Sequence, residues 1–471
     1  MRFKAVPTSA LHNQQIQQLL SSVCTEPFKL WAKGVARSVR MLEICESIGQ
    51  TQVAGQIKRR VSRAETSTEP QTHENHLSLR PVDIIRSKGW AVFCLFGFLG
   101  AQFAFAQTSS SSDHSAARDF MEYWAASRLL VSGGNPYSPE ALFSLQQPAG
   151  WGGAAPVIMW NPPWTLLFTL PFGLFSYTTG QFCWLLAHVF LILISVQQLW
   201  SIYGNTTVPS RLPWLLALTY VPAVFVLIIG QISAVILAGL TAFLYFERKQ
   251  KWFAMGASAA VLSVKPHLLY LFWIVFVLWI WKNRQWRVIA GTALIGLSAA
   301  LIPLLLDPQI YFQYFALYTI PDIPRPLDWL TPTLRSAVRV FIGPGHAWLE
   351  FAPSVVAVAW VLYYWHQYKH GWAWREQLPL IVLVSVVSSF FAWTYDQVAF
   401  FPAIIEAAIW IRQKPLPWHA FWAARLYIAI NACHAVLRIW VADELWYFWL
   451  APAFFANYLI FRWEVKKNGL L

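Results

Sequence analysis

Long apolar runs, separated by short polar or basic segments, fill most of the chain after residue 88. The runs cover residues 89–107, 161–176, 179–203, 212–229, 231–247, 251–264, 267–282, 287–306, 353–369, 377–393, 396–412, 418–440 and 445–463. At roughly 20 residues for each crossing of a bilayer, they predict about 11 to 13 transmembrane helices, several of them short or broken by proline. We therefore expect an all-α polytopic integral membrane protein.

The composition excludes a water-soluble protein. Of the 471 residues, 57% are hydrophobic and only 12% are charged, whereas soluble domains carry roughly 25% charged residues. The five cysteines show neither a CxxC pattern nor the spacing of metal ligands, so we expect no disulfide, metal or cofactor. In a membrane protein the net charge of +13 belongs to cytoplasmic loops rather than to a nucleic-acid surface.

The basic clusters predict the topology. They lie at residues 247–251, 282–287, 366–375, 412–414 and 462–467. Two apolar runs separate each cluster from the next, so all five clusters can be cytoplasmic, with outer loops at 107–160 and 307–352. We expect a multi-pass protein of the bacterial inner membrane with a cytoplasmic N-terminus. Residues 161–176 would break this alternation as a full span, so we expect a re-entrant or interfacial segment there.

Two regions are expected along the chain. Residues 1–85 are polar and basic, which is typical of a cytoplasmic, partly disordered tail. A translation start assigned too early explains the same composition. Residues 86–471 form the predicted membrane domain.

The first outer loop carries candidate chemistry. Asp119, Glu122, Tyr123 and Ala126 have the spacing of one helix face, so we expect short interfacial helices in this loop. Gly133 and Gly134 would end the first helix. A carboxylate in a first helical turn is favoured by the helix dipole, so a purely structural role for Asp119 stays open.

Further motifs follow in a fixed order. They are Gly134-Asn135-Pro136-Tyr137, Trp160-Asn161-Pro162-Pro163-Trp164, Gly230-Gln231, Lys265-Pro266-His267 and Trp393-Thr394-Tyr395-Asp396-Gln397. Together with Asp119 and Tyr123 they resemble, over residues 90–410, glycosyltransferase family 87. This family of GT-C membrane enzymes includes mycobacterial phosphatidylinositol mannoside mannosyltransferases. Order and spacing carry the resemblance, while the N-terminal tail has no place in the family pattern and Asn161 replaces a commoner aromatic residue.

The resemblance implies a GT-C-like arrangement and an inverting transfer of a hexose, for example mannose. The loop lacks the acidic-pair spacing of a metal site, which fits metal-independent chemistry. The donor would be a polyprenyl-phosphate sugar and the acceptor a lipid or glycan at the extracytoplasmic face. Asp119 matches the family's Asp and would act as general base, with Glu122 as the alternative. The candidate ligands of the donor phosphate are Lys265, His267, Arg325 and Arg335. The candidate substrate-binding residues are Tyr123, Tyr137, Asn161, Gln231, Tyr395 and Asp396.

Structural interpretations compete with these roles. Lys265 could extend its ammonium group to the membrane surface, His267 could make a structural hydrogen bond, and Asp396 could cap the following helix. A transporter or lipid flippase is a rival function, although the chain shows no convincing internal repeat. An O-antigen ligase or polymerase is another rival, which an essential Arg325 or Arg335 with a dispensable Asp119 would favour.

Overall fold

The computed structural model describes residues 118–467 except 206–209, 322, 324 and 414–417. Every regular element in these residues is helical, so the predicted all-α fold is confirmed. The tail predicted at 1–85 and the first apolar run at 89–107 lie outside the described residues.

The described part of the chain contains seventeen α-helices. They are α1 (Arg118–Val131), α2 (Pro139–Gln146), α3 (Leu166–Gly173), α4 (Tyr177–Gly204), α5 (Leu212–Thr219), α6 (Val221–Ile229), α7 (Ser233–Arg248), α8 (Trp252–Val261), α9 (Tyr270–Asn283), α10 (Trp286–Leu306), α11 (Ile310–Leu317), α12 (Leu334–Ile342), α13 (Ala352–Tyr368), α14 (Trp374–Val387), α15 (Phe401–Gln413), α16 (Trp418–Trp440) and α17 (Leu450–Lys467). Short 3-10 helices lie at Pro163–Thr165, Leu262–Val264, Pro326–Asp328, Pro344–Phe351, Lys369–Gly371, Thr394–Phe400 and Glu444–Tyr447.

Two of these helices, α4 and α10, are long and apolar enough to cross a bilayer alone. A third candidate span is the pair α5 and α6, which is bent by 65°. The bend falls at Tyr220, whose backbone is extended. Pro222 lacks the backbone N–H that would continue the hydrogen bonds of α5, so the helix is interrupted there. Other predicted spans hold shorter helices, such as α9 with 14 residues. Hydropathy predicts more complete spans than the described helices form, because proline and polar turns divide the apolar runs.

The segment 161–176 is one of the divided runs. It forms the turn Pro163–Thr165 and the eight-residue α3, which ends at Gly173. At about 1.5 Å per residue, α3 is about 12 Å long, well short of the roughly 30 Å of a hydrocarbon core. A short segment at this position fits the alternation of the basic clusters.

The helix predicted in the first outer loop is present as α1. Gly134 N–H donates to the Leu129 carbonyl at 2.8 Å, and Gly133 has a φ of +77°, so the two glycines end the helix as predicted. Phe120 and Tyr123 are fully buried, and α1 packs against α3 and α4 rather than lying on the surface. This packing carries the acidic face of α1 into the helical domain.

The helices α8 and α10 cross at very short distance. A Cβ on Gly256 would lie 2.0 Å from the Val288 carbonyl oxygen, and a Cβ on Gly291 would lie 2.0 Å from that of Phe253. Small residues of this kind let two helix backbones touch. The crossing fixes α8, which is followed by Leu262–Val264 and then by the Lys265 motif.

Candidate active site

The acidic face of α1 meets the Gly-Gln motif. Gln231 donates through Nε2 to Asp119 Oδ2 at 2.6 Å, and its Oε1 accepts from the Tyr123 hydroxyl at 2.5 Å. Both partners lie on α1, four residues apart and therefore on one face. The amide of Gln231 is buried, so it orients the carboxylate of Asp119, which is half-buried.

Gly230 explains how Gln231 reaches α1. It ends α6 with a φ of +73°, in the left-handed region that favours glycine. A Cβ at this position would lie 2.7 Å from Phe120 Cβ, so the turn touches the backbone side of α1. In the Gly-Gln motif, the glycine therefore forms a turn that lies close against α1, and the glutamine amide orients Asp119.

A second cluster contains a buried ion pair, Lys265–Asp396. Lys265 Nζ lies 2.6 Å from Asp396 Oδ1, and the two residues are 6% and 1% exposed. Ser233 donates to the same Oδ1 at 2.6 Å and accepts from Lys265 at 3.2 Å. The Tyr395 ring covers the ammonium group at 4.8 Å. An ammonium group has three donors, and two of those of Lys265 are used here.

Asp396 also serves the turn that carries it. Its Oδ2 accepts from the main-chain N–H of Trp393 at 2.9 Å, at the start of Thr394–Phe400. Asp396 therefore both caps the turn and pairs with Lys265, because each of its carboxylate oxygens has its own partners.

The electrostatics join the two clusters. Burial raises the pKa of Asp119 above its ordinary value, while the charges of Arg118 and Lys265 and the hydrogen bond from Gln231 oppose the rise. Burial raises the pKa of Glu122 well above its ordinary value, and the negative charge of Asp119 adds to the rise. Of the two half-buried carboxyl groups, Asp119 is therefore the one that ionises more readily.

His267 and Arg335 both contact the ring of Phe391. The Phe391 ring is 5.5 Å from the His267 ring and 5.6 Å from the Arg335 guanidinium carbon. Burial lowers the pKa of His267 to about 4, so its imidazole is neutral at pH 7. Arg335 is paired with Glu350 at 3.1 Å, yet its Nη1 is buried and has no partner among the described residues. One donor of a buried cation is thus free.

Three further predicted residues make no side-chain hydrogen bond to Asp119 or to the Lys265–Asp396 pair among the described residues. Asn161 donates to the carbonyl of Val264 at 3.4 Å, beside Lys265, and so helps to position that lysine. Tyr137 is 1% exposed, and its hydroxyl donates to the Asn161 carbonyl at 3.4 Å. Arg325 is exposed on the long loop, and the contacts of the described residues do not connect its side chain to the clusters.

Sequence reasoning missed residues that hold the Tyr395-Asp396 turn. Arg438 of α16 forms an ion pair with Glu444 and contacts the Thr394 hydroxyl, which also donates to Glu444 at 2.9 Å. The Arg438 guanidinium lies between the rings of Phe225 and Tyr447, at 4.2 and 4.1 Å. The only sequence signal is a charge inside a long apolar run. Ser233 was missed too, because a lone serine at a helix start is usually a cap.

Among the described residues, no group of three or more His, Cys, Asp or Glu side chains could hold a metal ion. The arrangement instead combines two half-buried carboxyl groups with a buried ammonium group and a guanidinium that has a free donor. Such a set can accept a proton and stabilise an anion.

Comparison with known protein families gives a match over the middle of the chain. The family model of glycosyltransferase family 87 covers residues 160–394, about half of the chain. No curated protein and no solved structure matches this chain. The matched stretch contains Lys265 and its motif, whereas Asp119 lies before it and Asp396 lies just after it. The motif order and the all-helical fold agree with the match. The chain therefore belongs to glycosyltransferase family 87, a membrane family of the GT-C class, and is a glycosyltransferase.

Proposed function

We propose that this enzyme transfers a hexose, for example mannose, from a polyprenyl-phosphate donor to an acceptor, with inversion at C1 and Asp119 as general base. The observation that carries the proposal is the oriented, half-buried carboxylate of Asp119 within electrostatic reach of Lys265. A base and a cation at one place are the two groups that displacement of a sugar from a phosphate requires.

Asp119 suits the base better than Glu122. A general base must be ionised before it can take a proton, and the pKa of Glu122 is raised further than that of Asp119. Gln231 occupies Oδ2 of Asp119, so Oδ1 is available to the acceptor hydroxyl. Glu122 holds its proton more tightly than Asp119, because burial and the negative charge of Asp119 raise its pKa, and in its protonated form it can donate a hydrogen bond to the substrate from one helical turn away.

The reaction is a single displacement. The acceptor oxygen forms a bond to C1 of the sugar while its proton moves to Asp119. The bond between C1 and the phosphate oxygen breaks, and its electron pair stays on the phosphate.

Lys265 has one donor left for this developing charge, and Nη1 of Arg335 supplies another. His267 is neutral, so it acts as a hydrogen-bonding group rather than as a charge. Tyr123 and Tyr395 keep the two charged groups in position.

The orientation of the helices supports an extracytoplasmic reaction. α7 starts beside Gln231 and ends in the basic cluster at 248–251, and α8 returns from that cluster towards Lys265. α9 then runs from the site to the cluster at 282–287. The site and the basic clusters thus lie at opposite ends of three successive helices. With basic segments in the cytoplasm, the site faces the outside of the bacterial inner membrane, and the N-terminus is cytoplasmic.

The test is transfer of labelled sugar by purified protein in proteoliposomes, with a panel of polyprenyl-phosphate hexoses and extracted cell-envelope lipids and glycans. Asp119→Asn keeps the size of the side chain and removes the base, so we expect a loss of roughly 10²- to 10⁴-fold in kcat. Asp328→Asn, an exposed acid on the long loop, is the matched control and should keep full activity.

Each outcome assigns the role of one group. Full activity in Asp119→Asn would overturn the assignment of the base, and loss in Glu122→Gln alone would transfer it to Glu122. Essential Arg335 with a dispensable Asp119 would favour the ligase. Wild-type protein that transfers no sugar from any donor would overturn the proposed donor class.

A further inference from the structure

A buried tryptophan of α4 contacts the turn that carries Gln231. The indole Nε1 of Trp184 donates to the carbonyl of Gly230 at 2.8 Å, and the side chain is buried. Carbonyl groups at the end of a helix have no partner within that helix, and Gly230 ends α6. Trp184 therefore supplies a hydrogen bond to the end of α6, at the residue that precedes Gln231.

The indole ring of Trp184 also packs against α1. Its centroid lies 5.5 Å from that of Phe120 and 5.6 Å from that of Tyr123, and Phe172 of α3 meets it edge-on at 4.9 Å. Tyr123 is the residue whose hydroxyl donates to Gln231. Trp184 thus contacts both the turn before Gln231 and the helix that carries the partners of Gln231.

His188 lies one helical turn after Trp184 and packs against its ring. The two ring centroids are 4.1 Å apart, and His188 is buried. Its Nδ1 lies 3.0 Å from the main-chain carbonyl of Trp184, and because a carbonyl only accepts, Nδ1 carries the proton. The indole is therefore packed against α1, α3 and its own helix, and close packing of this kind restricts a side chain to one rotamer.

The two ends of the Gln231 amide are assigned by its neighbours. Oε1 accepts from the Tyr123 hydroxyl at 2.5 Å and from the main-chain N–H of Ile232 at 2.8 Å. A main-chain N–H can only donate, so the amide oxygen faces Ile232 and the amide nitrogen faces Asp119, at 2.6 Å. Hydrogen bonds weaken steeply when their geometry is distorted. The position of the turn before Gln231 therefore determines how well Asp119 is oriented.

We propose that Trp184 is a positioning residue for sugar transfer, which holds the Gly230 carbonyl and thereby keeps the Gln231 amide on Asp119. The inference rests on the proposed function, because Asp119 is the proposed base. The indole N–H carries this role, whereas the ring supplies packing that another aromatic side chain supplies as well. The sequence gives no sign of the role, because tryptophan is enriched at the membrane surfaces of any such protein.

The variant Trp184→Phe removes the N–H and keeps an aromatic ring against α1. One neutral hydrogen bond changes an equilibrium by about 2- to 10-fold, and we expect kcat to fall by about that factor. The KM for the donor should stay close to that of the wild type, because Lys265 keeps its contacts. The hydrogen bond from Gln231 lowers the pKa of Asp119. Its weakening should therefore move the acid limb of the pH profile of kcat/KM to higher pH, by less than about one unit.

The titratable and charged groups that face Asp119 stay in place in this variant. They are Arg118, Glu122 and Tyr123 of α1, Lys265, and Tyr395 and Asp396 of the Thr394–Phe400 turn. A shift of the acid limb in Trp184→Phe therefore reports the hydrogen bond from Gln231 rather than the loss of a charge.

Trp124→Phe is the matched control. Trp124 is buried on α1, and its indole donates to the Phe175 carbonyl at 3.1 Å. The control therefore loses a comparable hydrogen bond at a place that does not touch Gln231. We expect the two variants to lose similar amounts of melting temperature, and only Trp184→Phe to shift the pH profile.

The pKa of Asp119 is also measured directly, without any substrate, by infrared titration of the carboxyl band that Asp119→Asn lacks. We expect a higher pKa of Asp119 in Trp184→Phe than in the wild type or in Trp124→Phe. Gln231→Met should raise this pKa as well. Addition of Trp184→Phe to Gln231→Met should raise it no further, because both changes act on the same hydrogen bond.

Each outcome of the titration decides one question. An unchanged pKa of Asp119 in Trp184→Phe would overturn the inference even if transfer slows, because Trp184 would then only pack. Rises that add in the double variant would overturn it too. A raised pKa with full transfer would count against Asp119 as the base and leave the positioning role intact. The titration needs no transfer, so it tests Trp184 independently of the proposed function.

Discussion

The buried ion pair gives the sharpest test of how the site is held together. Asp396→Asn keeps the shape of the side chain but leaves Lys265 as a buried charge without a counter-ion. The two residues are only 6% and 1% exposed, and their charged atoms are 2.6 Å apart. Loss of one partner from such a pair costs about 3–5 kcal/mol. We expect the free energy of unfolding of Asp396→Asn to fall by about that amount.

The double variant separates stability from catalysis. Lys265→Met in the Asp396→Asn background removes the stranded charge, and replacing both partners of a buried ion pair by neutral groups is often close to neutral. We expect the double variant to recover most of the lost stability. It should remain inactive in sugar transfer, because the cation proposed to bind the donor phosphate is gone.

The assay is reversible unfolding in mixed micelles followed by circular dichroism, with transfer measured on the same preparations. Asp443→Asn, an exposed acid, is the control for removal of a charge, because asparagine keeps the oxygen that accepts from the Leu445 N–H. Losses that simply add in the double variant would refute the reasoning, because they would show that the two charges do not depend on each other. A single variant as stable as the wild type would refute it too.

Two further predictions concern the orientation and ionisation of Asp119, the proposed base. Arg118→Gln removes a charge that lowers the pKa of Asp119. The acid limb of the pH profile of kcat/KM should therefore move to higher pH. The shift should be less than about one pH unit, because Arg118 is exposed and its charge is screened by solvent. Arg128→Gln, at the other end of α1, should leave the profile unchanged, and equal shifts would contradict the assignment. Gly230→Ala should cost at least about 1–2 kcal/mol from its left-handed backbone and reduce transfer, whereas Gly296→Ala, with open space around its Cβ position, should do neither. Both glycine variants are checked by their melting temperature and transfer rate. Wild-type values in Gly230→Ala would show that the turn does not determine the geometry of the site.

The sequence indicates the members of the two clusters where a motif supplies both the residue and its neighbours. Gly230-Gln231 and Lys265-Pro266 interrupt apolar runs, and a polar interruption between helices is visible without a structure. The short helix with Asp119 on one face follows from spacing and from the glycines that end it. These predictions depend only on local order along the chain.

The remaining features depend on which residues, far apart in the sequence, come into contact in the fold. Ser233 becomes a ligand of Asp396 only because α7 and the Thr394–Phe400 turn pack together. The sequence also gives no sign that Tyr137 donates to the Asn161 carbonyl, or that Asn161 donates to the Val264 carbonyl beside Lys265. Hydropathy also overstates the number of complete spans among the described helices, since it averages over the prolines that divide an apolar run.

The ion pair of Arg438 with Glu444 has a consequence for engineering this enzyme. The two residues come from the last part of the chain, yet they hold Thr394 at the start of the turn that presents Asp396. A truncation before residue 444, or a chimera that exchanges α16 and α17 with those of a relative, would remove that support from a distance. A chimera designed to change the substrate specificity must therefore transfer α16, α17 and the Thr394–Phe400 turn together.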